Sequence, residues 1–452
     1  MAVAIVIILL VVGSVVFHFL SPWYFTELAS NWGDIDTTVT ITFVVCGIVF
    51  VAANLFMAYC IVKFRNKSKD QRAAYEPENK KLETWLTIIT TIGVTAMLAP
   101  GLVVWAKFVS PPEDANIVEA VGQQWQWSFR LPGKDNRLGT VDARNISIDN
   151  PFGMNPDDPY GQDDILIPGN ELHIPLNQAV KFNLRSKDVL HNFTVPQFRV
   201  KMDLVPGMIT WQWLTPTKVG SYEILCEELC GIGHHTMRGR VVVDEEEDYN
   251  TWLNAQQTYA QFAALKKGDA HAGKALYQVC ASCHGLEGEG NPALNAPKIS
   301  GQEDWYLKRQ LTYFKHGIRG SNPEDTYGAQ MAPMANTLVD ENAMNNIAAY
   351  IQTLPDKPAA QTIHGDIKNG KELYITCGKC HGKQAEGRWA VNAPRMAGMS
   401  DWYLLTQLKN FKNGLRGAHA GDVTGRQMES MVLSLNEEKM RDVLAYVNSL
   451  NN

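Results

Sequence analysis

Two stretches of the chain, residues 37–62 and 84–106, contain no Asp, Glu, Lys or Arg. About 20 apolar residues suffice to cross a bilayer as a helix, which is favoured there because its backbone polar groups bond within the segment. Transmembrane helices are therefore expected at about 38–62 and 84–106. Residues 1–20 are as apolar. They lack a basic leading segment and a small-x-small cleavage site, so they read as a retained third helix rather than a signal peptide. The connection after the second stretch carries Lys63, Arg65, Lys67, Lys69, Arg72, Lys80 and Lys81, whereas residues 21–37 hold Glu27, Asp34 and Asp36 and no basic side chain. By the positive-inside rule the 63–83 connection is cytoplasmic, and everything after Pro111 lies on the outer face.

The whole chain has 452 residues, a formal charge of −6 and no long basic run. Nucleic-acid binding needs clustered Lys and Arg to meet phosphates, so that class is excluded. Eight cysteines are too few for a disulfide scaffold at this length. Six of them form close pairs, Cys226/Cys230, Cys280/Cys283 and Cys377/Cys380, while Cys46 and Cys60 sit in an apolar run as small hydrophobes.

After the membrane anchor, residues 1–110, the pattern changes to short alternating runs such as Ile209–Trp213, broken by Gly and Pro. This is the period of half-buried strands, and it predicts an all-β sandwich over 111–248. An acidic run, Asp244–Asp248, closes it as a solvated face, and a helical connector is expected to fill a linker at 249–267. An internal repeat follows. Gly268-Asp269, Cys280-x-x-Cys283-His284, Asn295-Ala-Pro297, Asp304-Trp-Tyr306 and Gln330-Met331 recur 97 residues later, from Gly365-Asp366 to Gln427-Met428. Each copy ends in an amphipathic helical pattern, Glu341–Leu354 and Glu437–Leu450. These are two compact, mostly helical modules, 268–356 and 357–452.

The two C-x-x-C-H motifs carry the strongest chemistry. This spacing attaches haem c: two thiols form thioethers, and the adjacent histidine is placed under the iron. A zinc site would want a second ligand pair in the same module, and neither module has another cysteine. A soft methionine would complete an electron-transfer iron site. Each copy offers two, Met331 or Met334 and Met428 or Met431, and the repeat does not choose between them.

A further soft donor set is Cys226-Glu-Glu228-Leu-Cys230-Gly-Ile-Gly-His234-His235-Thr-Met237. Thiolate, imidazole and thioether together suit copper. One Cys would suggest a mononuclear site; a second thiol four residues away lets two sulfurs bridge two coppers. A second imidazole is required, and Ser186-Lys-Asp188-Val-Leu-His191 supplies one after a strand-like run.

This loop, preceded by Asp-Val-Leu-His, resembles the CuA site of cytochrome c oxidase subunit II over residues from about 20 to 244, and the repeated modules resemble dihaem class I cytochromes c. The resemblance implies a cupredoxin-like sandwich in which Cys226 and Cys230 bridge, His191 and His234 are terminal ligands, Met237 is the weak thioether and Glu228 gives its carbonyl. His235 is a neighbour. It also implies a Mg site at the Glu228 carboxylate shared with subunit I, Trp125 of Gln124-Trp125-Gln-Trp127 as the residue through which electrons enter, and Glu83 at the mouth of a proton path. In the cytochromes the ligand lies seven residues before the Leu opening the last helix, here Leu338 and Leu435, which implies Met331 and Met428.

The expected assembly is a caa-type terminal oxidase in a bacterial inner membrane, multi-pass, with copper and haem domains on the periplasmic face. Residues 1–110 hold one histidine, His18, so the oxygen site belongs to a partner subunit I carrying haem and copper, with subunit III beside it. A quinol-oxidising complex or a small cytochrome c is the expected donor. Electrons would pass through two covalent haems to CuA, and chain order suggests that the first haem, ligated by His284, is the copper's neighbour. The alternative is a membrane-anchored multi-centre electron-transfer protein serving no oxidase.

Overall fold

The computed structural model describes residues 1–21, 26–66, 75, 77–147, 150–264 and 268–450. Lys67, Lys69 and Arg72, part of the orientation argument, lie outside the described residues, as do 265–267 of the expected connector. Three N-terminal helices are long and apolar enough to cross a membrane: α1 (Ala2–Leu20), α2 (Gly33–Lys63) and α3 (Lys80–Phe108). At 1.5 Å per residue α2 and α3 reach about 46 and 44 Å, well beyond the roughly 30 Å hydrocarbon layer, so their ends project from it. The projecting ends explain why both helices outrun the apolar stretches. Asp34 and Asp36 lie in the first turn of α2, where the helix dipole favours an acid.

Those projecting ends are fastened to the domain above. Trp32 Nε1 donates to the Trp213 carbonyl at 2.9 Å, and Trp213 Nε1 donates to the Phe108 carbonyl at 2.9 Å. Arg199 Nε reaches Asp36 at 2.7 Å. An indole pair with centroids 5.0 Å apart thus joins both helix ends to the sheet.

The domain above is a two-sheet sandwich, built from β1 (Asn116–Gln123), β2 (Gln126–Leu131), β3 (Ile165–Ile167), β4 (Glu171–Pro175), β5 (Val180–Ser186), β6 (His191–Thr194), β7 (Lys201–Leu204), β8 (Ile209–Leu214), β9 (Gly220–Leu225), β10 (Arg238–Asp244) and β11 (Gln257–Thr258). Among the described residues the sheets run β11-β3-β2-β1-β5-β8 and β4-β10-β9-β6-β7. β1 pairs antiparallel with β2 and parallel with β5, and β10 pairs antiparallel with β9. Inward side chains from both sheets, Trp127, Phe129, Phe182 and Phe193, are fully buried. Trp127 meets Phe193 edge-on at 5.4 Å, a geometry that contributes about 0.5–1.5 kcal/mol beyond area burial.

The connector is not a free helix. α4 (Glu246–Asn254) takes three acids of the run into its first turn. β11 adds to the edge of the first sheet beside β3, and α5 (Tyr259–Ala264) follows. Tyr259 is buried with Val121, Phe152 and Leu166. An aromatic that can bury its ring against the sandwich outweighs the solvent preference of the acids before it.

Each repeat is four helices: α6 (Ala270–His284), α7 (Asp304–Lys315), α8 (Thr326–Asn336) and α9 (Glu341–Ile351), then α10 (Ile367–His381), α11 (Asp401–Lys412), α12 (Val423–Val432) and α13 (Glu437–Ser449). First and last helices of each module cross closely. A Cβ on Gly273 would lie 2.0 Å from the Asn346 carbonyl oxygen, and one on Gly370 would lie 1.9 Å from that of Asp442. Only glycine allows the approach that brings each motif-bearing helix onto its core.

Candidate copper and haem centres

The copper-type residues come from three places that the sandwich brings to one end. Cys226 to Met237 form the loop between β9 and β10, His191 opens β6, and Gln124-Trp125 make the turn between β1 and β2. The Cys226 and Cys230 sulfurs lie 3.8 Å apart. His191 Nδ1 is 3.9 Å from Cys226 Sγ, His234 Nδ1 is 3.5 Å from Cys230 Sγ, and Met237 Sδ is 3.9 Å from the same sulfur. The Glu228 carbonyl oxygen is 3.3 Å from Cys226 Sγ. His235 points out to solvent.

His191, Cys226 and Cys230 offer ligand atoms that all lie within 4.8 Å of one another; His234 and Met237 adjoin the Cys230 sulfur and the Glu228 carbonyl that of Cys226, and the soft character of the set fits copper. The hydrogen bond from Cys230, acting with His191 against the cost of burial, pulls the Cys226 thiol down to about 3. The same bond, with burial, pushes Cys230 up.

Sequence reading missed two supporting groups. Asp188 Oδ1 lies 2.8 Å from His191 Nε2, which turns Nδ1 toward the sulfurs, the usual second contact of a ligating histidine. Its other oxygen accepts from the Gln124 backbone N–H at 2.7 Å. Gln124 Nε2 and Trp125 Nε1 both donate to the Cys230 carbonyl, at 2.7 and 3.3 Å. The signal was the Asp of the Asp-Val-Leu-His run, three residues before the ligand.

Trp125 is 5% exposed and lies directly over the copper loop. A Cβ on Gly233 would come within 2.4 Å of its ring. Gly233→Ala is expected to shift the indole and to destabilise the sandwich by about 1–3 kcal/mol, the usual cost of overpacking, measurable by thermal unfolding. Glu83, by contrast, lies in the first turn of α3. The 25 residues to Phe108 set it about 38 Å from the sandwich end of that helix.

In the modules, each C-x-x-C-H ends its helix, so the thiols and imidazole share one turn. His284 Nδ1 donates to the Pro297 carbonyl and His381 Nδ1 to that of Pro394, both at 2.7 Å, which gives the Asn-Ala-Pro repeat its purpose. Nε2 is left free. Burial pushes both imidazoles down, keeping them neutral as a ligand must be. A cavity of about 480 Å³ runs through both modules and is lined by Cys280, His284 and Met331 and by Cys377, Cys380, His381, Met428 and Met431. Met334 is 43% exposed and Cys283 is exposed as well. The thiols, imidazoles and apolar lining fit haem c.

The second module, not the first, sits on the copper domain. Gln427 Nε2 donates to the Trp125 carbonyl at 2.6 Å, and Gln123 Nε2 donates to that of Ala390 at 3.1 Å. Cys380 packs against the sandwich core. A small cavity is shared by Trp125, Gly233, Cys380, His381 and Met428. Gln330, the counterpart of Gln427 in the first module, stays exposed. This corrects the neighbour expected from chain order. The connector is tied to the sandwich through α4 and β11, so the residues that could have swung the first module onto the copper end are not available for it.

The family description "Cytochrome C oxidase subunit II, periplasmic domain" matches residues 116–245, and "Cytochrome c" matches 270–355 and 367–451. The "Alternative cytochrome c oxidase subunit 2" of Bradyrhizobium diazoefficiens is 58% identical over 260 residues, covering 58% of this chain and 94% of that relative. The chain belongs to the cytochrome c oxidase subunit 2 family. Among solved structures, the periplasmic domain of subunit II (CoxB) of Bradyrhizobium japonicum is 25% identical, covers 32% of this chain and 95% of that one, with a TM-score of 0.24. Reduced recombinant cytochrome c4 from Pseudomonas stutzeri is 27% identical, covers 40% and 97%, with a TM-score of 0.33. This oxidase subunit 2 with cytochrome c attached is part of an oxidoreductase complex, anchored in a membrane with a periplasmic domain. It takes copper and haem c and works with the other oxidase subunits.

Proposed function

We propose that the chain is the electron-delivering subunit of a haem-copper terminal oxidase in a bacterial inner membrane. Its order of sites is external donor, first module, second module, dinuclear CuA, then subunit I. The contact of Cys380 and Gln427 with the Trp125 segment carries this reading, because it leaves no gap between the second module and the Cys230 backbone. Copper and haem supply one-electron carriers; the residues hold them, orient them and keep water away. Cys226, Cys230, His191, His234, Met237 and the Glu228 carbonyl would hold the dinuclear copper. Cys280, Cys283, His284 and Met331 would hold one haem, and Cys377, Cys380, His381 and Met428 the other.

Met331 and Met428 are preferred over Met334 and Met431 because Met331 lines the haem cavity while Met334 faces solvent, and the repeat carries the choice to the second module. Met331→Ala should abolish the sulfur-to-iron absorption band of the first haem only; the same loss in Met334→Ala would reverse the assignment. Leu229, 83% exposed beside Glu228, offers apolar surface for subunit I. The Glu228 carboxylate is assigned to a Mg shared there, Glu83 to the mouth of a proton path, and a quinol-oxidising complex or small cytochrome c to the donor, with subunit III in the assembly. Metal and haem analysis with EPR on the purified full-length chain tests the reading. Two coppers, two haems c and a mixed-valence multi-line copper signal are expected; one copper with an ordinary blue-copper signal would overturn the CuA assignment.

A further inference from the structure

Two consecutive residues after β5 hold two consecutive residues where β1 turns into β2. Asp188 takes Gln124, the member of that pair that reaches the copper loop. The residue before it, Lys187, takes Gln123: its Nζ donates to Gln123 Oε1 at 2.8 Å, and its backbone N–H donates to the Gly122 carbonyl at 3.0 Å. Gln123 is 7% exposed, and its Nε2 donates across to the Ala390 carbonyl of the second module at 3.1 Å. The function above leaves Lys187 unused.

A glutamine amide can face either way round, and its partners decide which. An ammonium has three donors and no acceptor, so beside Lys187 the Gln123 amide must present its oxygen, and its NH2 group is turned to the second module. A carbonyl only accepts, so the orientation that suits the lysine is the one Ala390 needs. Reversed, the amide would set NH2 against ammonium and oxygen against carbonyl, two repulsive contacts in place of two hydrogen bonds. The ammonium is held in place as well, 5.7 Å from the centre of the Phe152 ring, within reach of a cation–π contact. Ala390 immediately precedes residues 391–394, which line the small cavity with Trp125, and the Pro394 carbonyl holds His381. Gln123 therefore grips the segment that aims the His381 imidazole.

Resting on the electron-delivery reading, we propose that Lys187 is a positioning residue for the passage of electrons into copper: by fixing the Gln123 amide it seats the second module over the copper loop. Among the described residues, the charged groups that bear on it are Arg185 of β5, Asp188 after it and Glu119 of β1. Burial, reinforced by Arg185, pushes the ammonium down to about 8 against the pull of Asp188 and Glu119. Below that pH Lys187 only donates. Above it the neutral amine has a lone pair, accepts as well as donates, and leaves the Gln123 amide free to turn.

Stopped-flow reduction of the copper centre in the full-length chain, followed on both sides of pH 8, tests the proposal. In Lys187→Met, copper reduction should be about three- to tenfold slower below that pH, the worth of one hydrogen bond, and an unchanged rate overturns the proposal. In the unaltered chain the rate should fall toward that of Lys187→Met as the pH rises through about 8. Lys187→Arg, whose guanidinium stays charged, should keep the rate seen at lower pH and lose the fall; a fall of the same size in this variant overturns the proposal. Should Lys187→Met not fold, the pH profile of the arginine variant decides alone. In a Gln123→Ala background Lys187→Met should slow the reaction no further, because the lysine acts through the glutamine; two losses that add overturn that route. Copper reduction in the unaltered chain is measured first. Copper that is absent, or reduced without passing through haem, removes the electron-delivery reading and this proposal with it, whereas copper reduced through haem at a rate indifferent to Lys187 removes this proposal alone.

Discussion

Cys377→Ala/Cys380→Ala is expected to keep the first haem reducible while turnover falls by about 10²-fold or more, the gain that tethering commonly provides. The second module covers Trp125, with Gln427 bonded to its carbonyl and Cys380 packed on the sandwich core. A haem lost there opens a gap between the first module and the copper loop, and the replacement must diffuse in from bulk. The reciprocal variant, Cys280→Ala/Cys283→Ala, leaves that contact intact, so a small artificial donor reaching the second module still reduces copper. Stopped-flow reduction of the copper centre separates the two. Equal copper reduction in both variants would return the first module to the place that chain order suggested.

In Cys230→Ser, copper content should fall from two per chain to one or none and the mixed-valence signal should vanish. Turnover should drop by more than the roughly 10–100-fold that losing a group hydrogen-bonded to a metal ligand costs. Cys230 is the hub of the site: its sulfur lies within 3.9 Å of Cys226, His234 and Met237. Its carbonyl holds Gln124 and Trp125 in place. A serine hydroxyl keeps the fold of the loop but neither the soft donor nor the low proton affinity that bridging requires. Cys46→Ser, in the second membrane helix, is the control and should leave copper content unchanged.

How much of the site was legible follows from how local each part is. Cys280, Cys283 and His284 lie within five residues on one helix, so their spacing alone declares the chemistry. The copper loop is nearly as local, since Cys226 to Met237 joins two adjacent strands. His191 is 35 residues upstream of Cys226; the donor set's need for a second imidazole pointed to it, and the resemblance to subunit II gave it its place as a terminal ligand. Asp188 stood in the quoted motif without a role, because orienting an imidazole leaves no pattern of its own. Arg319 and Arg416 repeated at the offset of 97 like the other marks, but a Gly-x-Arg-Gly turn reads as surface until the partner module buries it.

The sequence by itself determined the apolar helices, the sandwich, the duplicated cytochrome modules and the donor types at each centre, because period, charge and ligand spacing are properties of short stretches. Only the tertiary structure decided which module meets the copper domain and that the two modules bury Arg319 and Arg416 against each other. Both rest on contacts between residues hundreds or about a hundred positions apart, such as Gln427 with Trp125 and Arg319 with Gln407. Such pairs have no local signature. They are selected by which surfaces can bury against each other once the connector has been tied to the sandwich.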